Sequence, residues 1–402
     1  MKLYVFNPDA DMALGNNEEN YMAPASIRRM SEDLALLPVW YAQPGSAVLA
    51  PSAYNAGYLK QMQQMFPLQV RLATEPELPD YADARVMPWA WNRAIRKRML
   101  KGGIPGRMLP SPEELAEYRR LASRAYPLAL HPLLGMHEAD YVCGCSRLVE
   151  GDGKSPVSSE VMDGFSDGAV FKSPWSGSGK GLFWCRRGFK KEASDWCSRV
   201  LREYGCFTVE PIYDKVEDFA LEYYSDGRGK VSFVGYSRFM TNEKGAYNGN
   251  ILISDRQVEE WLQQYVPLEA FVRIRAAVEK GLHTLYGNQY TGYLGIDMMV
   301  CRQEGGHPYL IHPHVEVNLR MNMGVVSHLL YENFIASGRE GRFSVDYFPS
   351  NEALRARHEQ YSNCYPLAVK DGKVLSGYLS LVPVTPKSLS QAYILVDSCS
   401  PT

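Results

Sequence analysis

The chain has no apolar stretch long enough to cross a membrane; its longest apolar region, around Leu34 to Ala42, falls far short of a span. It has no block of basic residues, and its formal net charge is −2 over 402 residues. Neither nucleic acid nor an anionic membrane is therefore expected as its main partner. The apolar run after Met1 ends at Asn7-Pro8-Asp9, too soon for a signal peptide. Its eight cysteines are scattered with no Cys-x-x-Cys, and Cys143-Gly144-Cys145 has no second pair to complete a zinc site. A reduced, cytoplasmic protein with free thiols is the expectation. There is no Gly-x-Ser-x-Gly, so a serine hydrolase is not indicated. His312 and His314 form a pair without a third nitrogen or thiolate ligand. Internal repeats and low-complexity tracts are also missing. What remains, 46% hydrophobic and 22% charged, is the composition of a globular protein with room for two or three domains.

The strongest positive pattern lies in Gly295-Ile296-Asp297-Met298-Met299-Val300 and His314-Val315-Glu316-Val317-Asn318-Leu319-Arg320. Both alternate in polarity with a period of two, as strands do. On the second, His314, Glu316, Asn318 and Arg320 share one face. Gln303 to Pro308 can form the turn of a hairpin between them, and an even-length loop puts Asp297 on that same face. Two carboxylates and an amide oxygen suit Mg2+ held against phosphates, and the arginine suits a phosphoryl or carboxylate group.

Three weaker segments precede it. Lys172 ends a strand and enters Ser173-Pro174-Trp175-Ser176-Gly177-Ser178-Gly179-Lys180-Gly181. Small residues there let backbone N–H groups approach an anion, though a hairpin turn has the same composition. The loop is neither a Walker A motif nor a G-x-G-x-x-G. Next, Glu210-Pro211-Ile212 ends one strand and Glu217-Asp218 opens another, with the composition of an adenosine hinge or of an ordinary charged turn. Of the two acids, Asp218 is preferred because it opens the strand Phe219-Ala220-Leu221. Last, Arg238 and the loop Lys244 to Asn250 fit either a mobile lid or a solvated hairpin. Asn7-Pro8-Asp9-Ala10-Asp11, after the first strand, reads as an Asx turn continuing as a polar loop through Asn20; Asp11 and Asn16 are its candidates for binding an acceptor.

The order of these segments resembles the ATP-grasp family over about residues 165–330. A strand lysine, a Gly-rich loop, an acidic hinge and an Asp … Glu-x-Asn metal set occur here as Lys172, Ser176 to Gly181, Glu210 to Asp218, and Asp297 with Glu316-Val317-Asn318. The tail through Arg320 to Gly324 looks like the family's Glu-x-Asn-x-Arg-x-x-x-Gly ending. The Asp297-to-Glu316 spacing is longer than usual, which a longer hairpin absorbs.

The resemblance implies an α/β (α+β) protein with three parts: a small N-terminal α/β domain over 1–105, an ATP-grasp region over 106–340 and a short β-rich extension over 341–402. It implies ATP-dependent joining of a carboxylate to an amine or similar nucleophile through an acyl phosphate. ATP-binding positions would be Lys172, Ser176, Gly177, Ser178, Gly179, Lys180, Glu210, Ile212 and Asp218. Asp297, Glu316 and Asn318 would hold Mg2+, or Mn2+ in its place. Arg320 and Arg238 would stabilise charge, and Asp11, Asn16 and Asn250 would face the small-molecule substrates. An ATP-grasp-type kinase and a nucleotide-binding regulatory module without turnover stay open as alternatives, and so does a homodimer.

Overall fold

The computed structural model describes residues 1–133, 141–177, 181–241 and 247–398. Strands β1 (Lys2–Val5), β2 (Ser46–Leu49), β3 (Val70–Ala73) and β4 (Arg85–Pro88) form a parallel sheet in the order β3-β2-β1-β4. They are short, buried and separated by helical segments, as parallel strands covered on both faces must be. The expected polar loop after β1 is instead a helix, Ala10–Asn16. Its buried residues Ala10, Ala13 and Leu14 have helical spacing, which outweighs the turn-forming Asn and Asp around them. Asn17 closes it in the left-handed conformation.

A further helix starts behind Ser111, where Ser111 and Glu114 bond each other's backbone N–H groups. It covers Pro112–Leu121, so Arg124 lies beyond its end.

A second sheet contains β5 (Arg147–Glu150), β6 (Ala169–Lys172), β7 (Leu182–Cys185) and β8 (Cys206–Pro211), ordered β5-β8-β6-β7 and antiparallel. One side is closed by the helix Lys191–Tyr204, whose Trp196 packs on Phe171 and Phe207. That aromatic cluster gives this small lobe a core of its own.

The third sheet is the frame of the molecule. It runs β13-β12-β9-β10-β11-β14-β17-β16-β15, with β9 (Asp214–Asp226), β10 (Val231–Thr241), β11 (Tyr247–Leu252), β12 (Thr291–Arg302), β13 (Tyr309–Asn318), β14 (Gly341–Tyr347), β15 (Ala368–Lys370), β16 (Lys373–Ser380) and β17 (Ser390–Val396). Residues beyond 340 thus continue the same sheet, because β14 pairs with β11. Helices Asp255–Leu262 and Leu268–Tyr286 cover one face, where Trp261 and Phe271 meet Phe219. Helix Met323–Phe334 lies on the other face, close enough that a side chain on Gly235 would strike His328.

The first sheet's lobe is docked on the C-terminal strands. Trp40 Nε1 donates to the Leu381 carbonyl at 2.7 Å, and Tyr58 Oη to that of Ser380 at 3.0 Å. Asp33 accepts from the backbone N–H groups of Leu389 and Ser390 at 2.8 and 2.9 Å. Removing a buried carboxylate leaves such donors unpaired. Asp33→Ala is therefore expected to lower stability by on the order of 3 kcal/mol. Urea unfolding checks this; a midpoint equal to that of the native protein would show that the contact does not anchor the lobe.

Candidate functional site

The site grows from the β12–β13 hairpin. Asp297 pairs directly with Glu316, so in an antiparallel ladder both side chains project from one face. Toward the turn the register shifts by two residues, with Met299 opposite His312. Pro313, which has no N–H to give the ladder, lies in that stretch. A shift of two preserves the alternation, so the longer spacing does not move Asp297 to the other face. Asn318 Nδ2 donates to Asp297 Oδ1 at 3.1 Å, and Arg320 Nη2 donates to Asn318 Oδ1 at 2.9 Å.

Across the sheet, Asp297 is in step with Ala220 and Ser237. Asp218, two residues from Ala220, shares this face and accepts from Thr241 Oγ1 at 3.0 Å and from Lys215. Glu217 projects from the opposite face, where Arg238 Nη2 reaches it at 3.4 Å. Arg238 itself pairs with Phe219 and lies 4.3 Å over the Trp261 ring. It thus belongs to the helix-covered side, and its expected place beside the reacting groups does not hold. Asn250 pairs with Phe239 and so shares the metal-type face, but β11 is four strands from β13, about 19 Å away. It is buried, with Oδ1 held by Tyr247 and Nδ2 without a partner. Asn250 does not border the cleft at Glu316.

Glu222 is a buried acid behind this patch that the motifs did not single out. Ser237 Oγ donates to its Oε1 at 2.8 Å and Asn322 Nδ2 to its Oε2 at 2.9 Å. A Cβ on Gly295 would come within 2.5 Å of Glu222 Oε2, and one on Gly324 within 2.0 Å of Oε1. The glycine that ends the Glu-x-Asn-x-Arg pattern therefore makes room for a carboxylate. A signal existed in the sequence: Glu222 is in phase with Asp218 along β9. Burial raises its carboxyl to about 7. Asp297 is raised well above the usual carboxylate range by burial, then by Glu316 and Glu222.

The small sheet adds the next groups. Lys172 Nζ pairs with Glu210 Oε1 at 2.5 Å and donates to the Val315 carbonyl at 3.1 Å, beside Glu316. Both side chains are nearly fully buried. Glu210 also accepts from Ser146 Oγ at 2.9 Å. Ile212 follows β8, and its N–H donates to Gly168 at 3.2 Å. His131 and His314 lie against this pair with rings 4.6 Å apart, and burial holds the His312 imidazole down at about 3. Ser176 and Gly177 approach the first lobe, where a Cβ on Gly177 would meet Asp11 Oδ2 at 2.5 Å. Ser178, Gly179, Lys180 and Lys244 to Ala246 lie outside the described residues.

Asp11 receives both Arg320 Nε, at 2.9 Å, and Nη2, at 2.8 Å. The helix Ala10–Asn16 thus presents Asp11 to the patch. Asn16 does not follow it: it is exposed, and its Oδ1 accepts the Glu18 N–H at 3.3 Å as a local turn. Arg124, which no motif contained, fills the remaining side with Nη2 2.8 Å from Glu316 Oε1. Asp11, Tyr118, Trp175, Ser176, Glu316 and Arg320 border a cavity of about 10 Å³, room for about one water. The acids and cations occupy one another in this closed arrangement.

No family model matches the chain, and no curated protein matches its sequence. Solved structures do. The biotin carboxylase of Campylobacter jejuni, crystallised as a β-γ-ATP complex, aligns over 99% of this chain and 87% of its own, with 11% identity and a TM-score of 0.52. The N5-carboxyaminoimidazole ribonucleotide synthetase of Thermus thermophilus aligns over 99% and 94%, with 15% identity and a TM-score of 0.47. The biotin carboxylase domain of a Hydrogenobacter thermophilus 2-oxoglutarate carboxylase, a dimer with MgADP and bicarbonate, aligns over 98% and 86%, with 11% identity and a TM-score of 0.48. The chain has the ATP-grasp fold.

Glu222 gives this site a measurable pH signature. Its folded-state carboxyl, at about 7, lies above the ordinary value of 4.5. Its contribution is therefore complete at acid pH and is lost as pH rises through about 7. Glu222→Gln keeps the shape and its two hydrogen bonds, since the Ser237 hydroxyl can accept instead of donate. Above pH 7 the variant should be the more stable by on the order of 3 kcal/mol, and the gap should narrow toward pH 5. Denaturation at pH 5.5 and pH 8 reads the difference; a gap independent of pH would refute the assignment.

Proposed function

We propose that the protein is an ATP-dependent ligase that joins a carboxylate to an amine or similar nucleophile. The convergence of Asp297, Glu316 and Asn318 on one sheet face, with Lys172 and Arg320 beside them, carries this reading. Three side-chain oxygen donors on adjacent strands fit a hard divalent cation. The charge supports the fit: burial, then the neighbouring Glu316 and Glu222, raise the Asp297 carboxyl well above the usual range, a cost that a cation would relieve. Mg2+, when bound there, would neutralise charge on the phosphate oxygens.

The remaining work falls to residues of this chain. Lys172 is positioned to leave Glu210 for a phosphate oxygen, as a charge-assisted hydrogen bond. Asp218 and Ile212 are the hinge groups offered to ribose and base. Ser176 and Gly177, with the rest of their loop, would cover the phosphates. Arg320 would hold the oxygens of the carboxylate while its activated acyl phosphate meets the nucleophile. Asp11 would turn from Arg320 to the incoming amine. Admission of nucleotide would part the ion pairs Arg320–Asp11 and Arg124–Glu316 that join the walls of the site. Positioning and charge neutralisation dominate such transfers, and the site contains little else.

Products separate a ligase from a kinase. With ATP and Mg2+, phosphate should appear only when a carboxylate and an amine are both present; a stable phosphorylated product would favour the kinase reading. Glu316→Ala is expected to abolish turnover with the fold retained, since its side chain is not a core group. Lys172→Ala should weaken ATP by about 1.5–3 kcal/mol, roughly 10- to 150-fold. Calorimetric titration measures it, and unchanged affinity would remove Lys172 from the site.

A further inference from the structure

Lys172 pairs with Glu210 and Arg320 with Asp11, acids outside the metal-type set. Arg124 is different, because it occupies Glu316 itself. Arg124 is 7% exposed and sits just beyond the helix Pro112–Leu121. Nη1 donates to the Ser173 carbonyl at 2.9 Å and to Ser176 Oγ, while Nη2 donates to the Ser176 carbonyl at 2.8 Å. Its backbone N–H donates to Pro174 at 2.9 Å. One residue therefore grips the start of the loop after β6 and the acid on β13 together. Its Nε is buried without a partner. A structural arginine would ordinarily have that donor satisfied.

We propose that Arg124 is a displaceable counter-cation that couples metal loading to release of the loop Ser173–Gly177. While no metal is present, it neutralises Glu316 and draws the loop down against β13. A divalent cation approaching Glu316 would meet a like charge 2.8 Å from Oε1 of the same carboxylate. Held by Glu316, the cation would repel the guanidinium and displace it from the carboxylate. Losing Glu316 removes the charge that orients the guanidinium, so the carbonyls of Ser173 and Ser176 lose their donors at the same time. Arg124 is on this view a positioning residue. The inference rests on the ligase reading only in taking Glu316 as a metal ligand.

The test uses Mn2+ alone on the nucleotide-free full chain, with binding read by electron paramagnetic resonance. Arg124→Gln is expected to bind Mn2+ about tenfold more tightly than the native protein, and Arg124→Lys to lie close to the native value. Hydrogen exchange provides the second measurement. The amides of Ser173, Trp175, Ser176 and Gly177 should exchange faster in Arg124→Gln, and faster in the native protein once Mn2+ is added. Mn2+ should cause no further change in the variant. The native-protein arm stands even if the variants do not fold. Equal Mn2+ affinity in native and Arg124→Gln proteins, or native loop amides indifferent to Mn2+, would overturn the coupling while leaving the metal site intact. If the native protein bound no Mn2+, or Glu316→Ala bound it as well, the metal assignment itself would fall, and the coupling with it.

Discussion

The acids and the amide of the metal-type face take their places from the direct pairing of Asp297 with Glu316. A one-residue slip in that ladder would send Glu316 and Asn318 to the opposite face, under helices Asp255–Leu262 and Leu268–Tyr286. The pairing is held on both sides. Val317 and Leu319 are buried on the far face, and β9 fixes β12 along nearly its whole length. The irregularity near Pro313 is tolerated because it moves the register by two and not by one. The same ladder puts Gly295 opposite Asn318, and the missing side chain there is what admits Glu222.

Concentrating the buried Glu222 with the half-buried Asp297 and Glu316 is costly unless cations or hydrogen-bond donors answer them. The answers come from separate parts of the chain. Asn318 ends the hairpin and Arg320 follows it, Asn322 caps the next helix, Ser237 stands on β10, and Arg124 arrives from the connection between lobes. Arg320 is shared further, with Asp11 of the first lobe. The short segment from Glu316 to Gly324 thus alternates groups that face the cleft with groups that seal its floor. Each position has its own steric or electrostatic reason. A side chain at Gly324 would overlap a carboxylate, and an apolar residue at Asn322 would leave Glu222 without a donor.

Much of this was legible in the residues. Strand alternation with a turn between gave the acid pair, and the order of lysine, loop, hinge and metal set matched a known arrangement. The parts that were not legible share a cause: they depend on which face or which neighbour a residue meets in three dimensions. Arg238 and Ser237 are adjacent in sequence, yet only Ser237 is on the cleft side. Arg120, in the last turn of the helix Pro112–Leu121, and Arg124, just beyond it, look alike in the sequence. Arg120 pairs with Glu117 at the surface, whereas Arg124 is enclosed by a loop fifty residues away. The helix Ala10–Asn16 was concealed by turn-forming residues on its exposed side. Its apolar spacing, Ala10, Ala13 and Leu14, carries the signal that the polar composition obscured.

The C-terminal strands acquire a purpose from the same geometry. Asp11 can meet Arg320 only if the first lobe is held in one orientation against the large sheet. That orientation is not set by the cleft alone, where the contacts are ion pairs between partly exposed side chains. It is set at a distance by Trp40, Tyr58 and Asp33, each bonded to backbone between Ser380 and Ser390. Around Trp40 the rings of Phe66 and Phe334 close in at 5.2 Å, so this junction is a packed core and not a wet contact. Strands β14 to β17 extend the sheet far enough to reach that junction. A cleft whose walls are joined by ion pairs is therefore held in register by an apolar seam elsewhere.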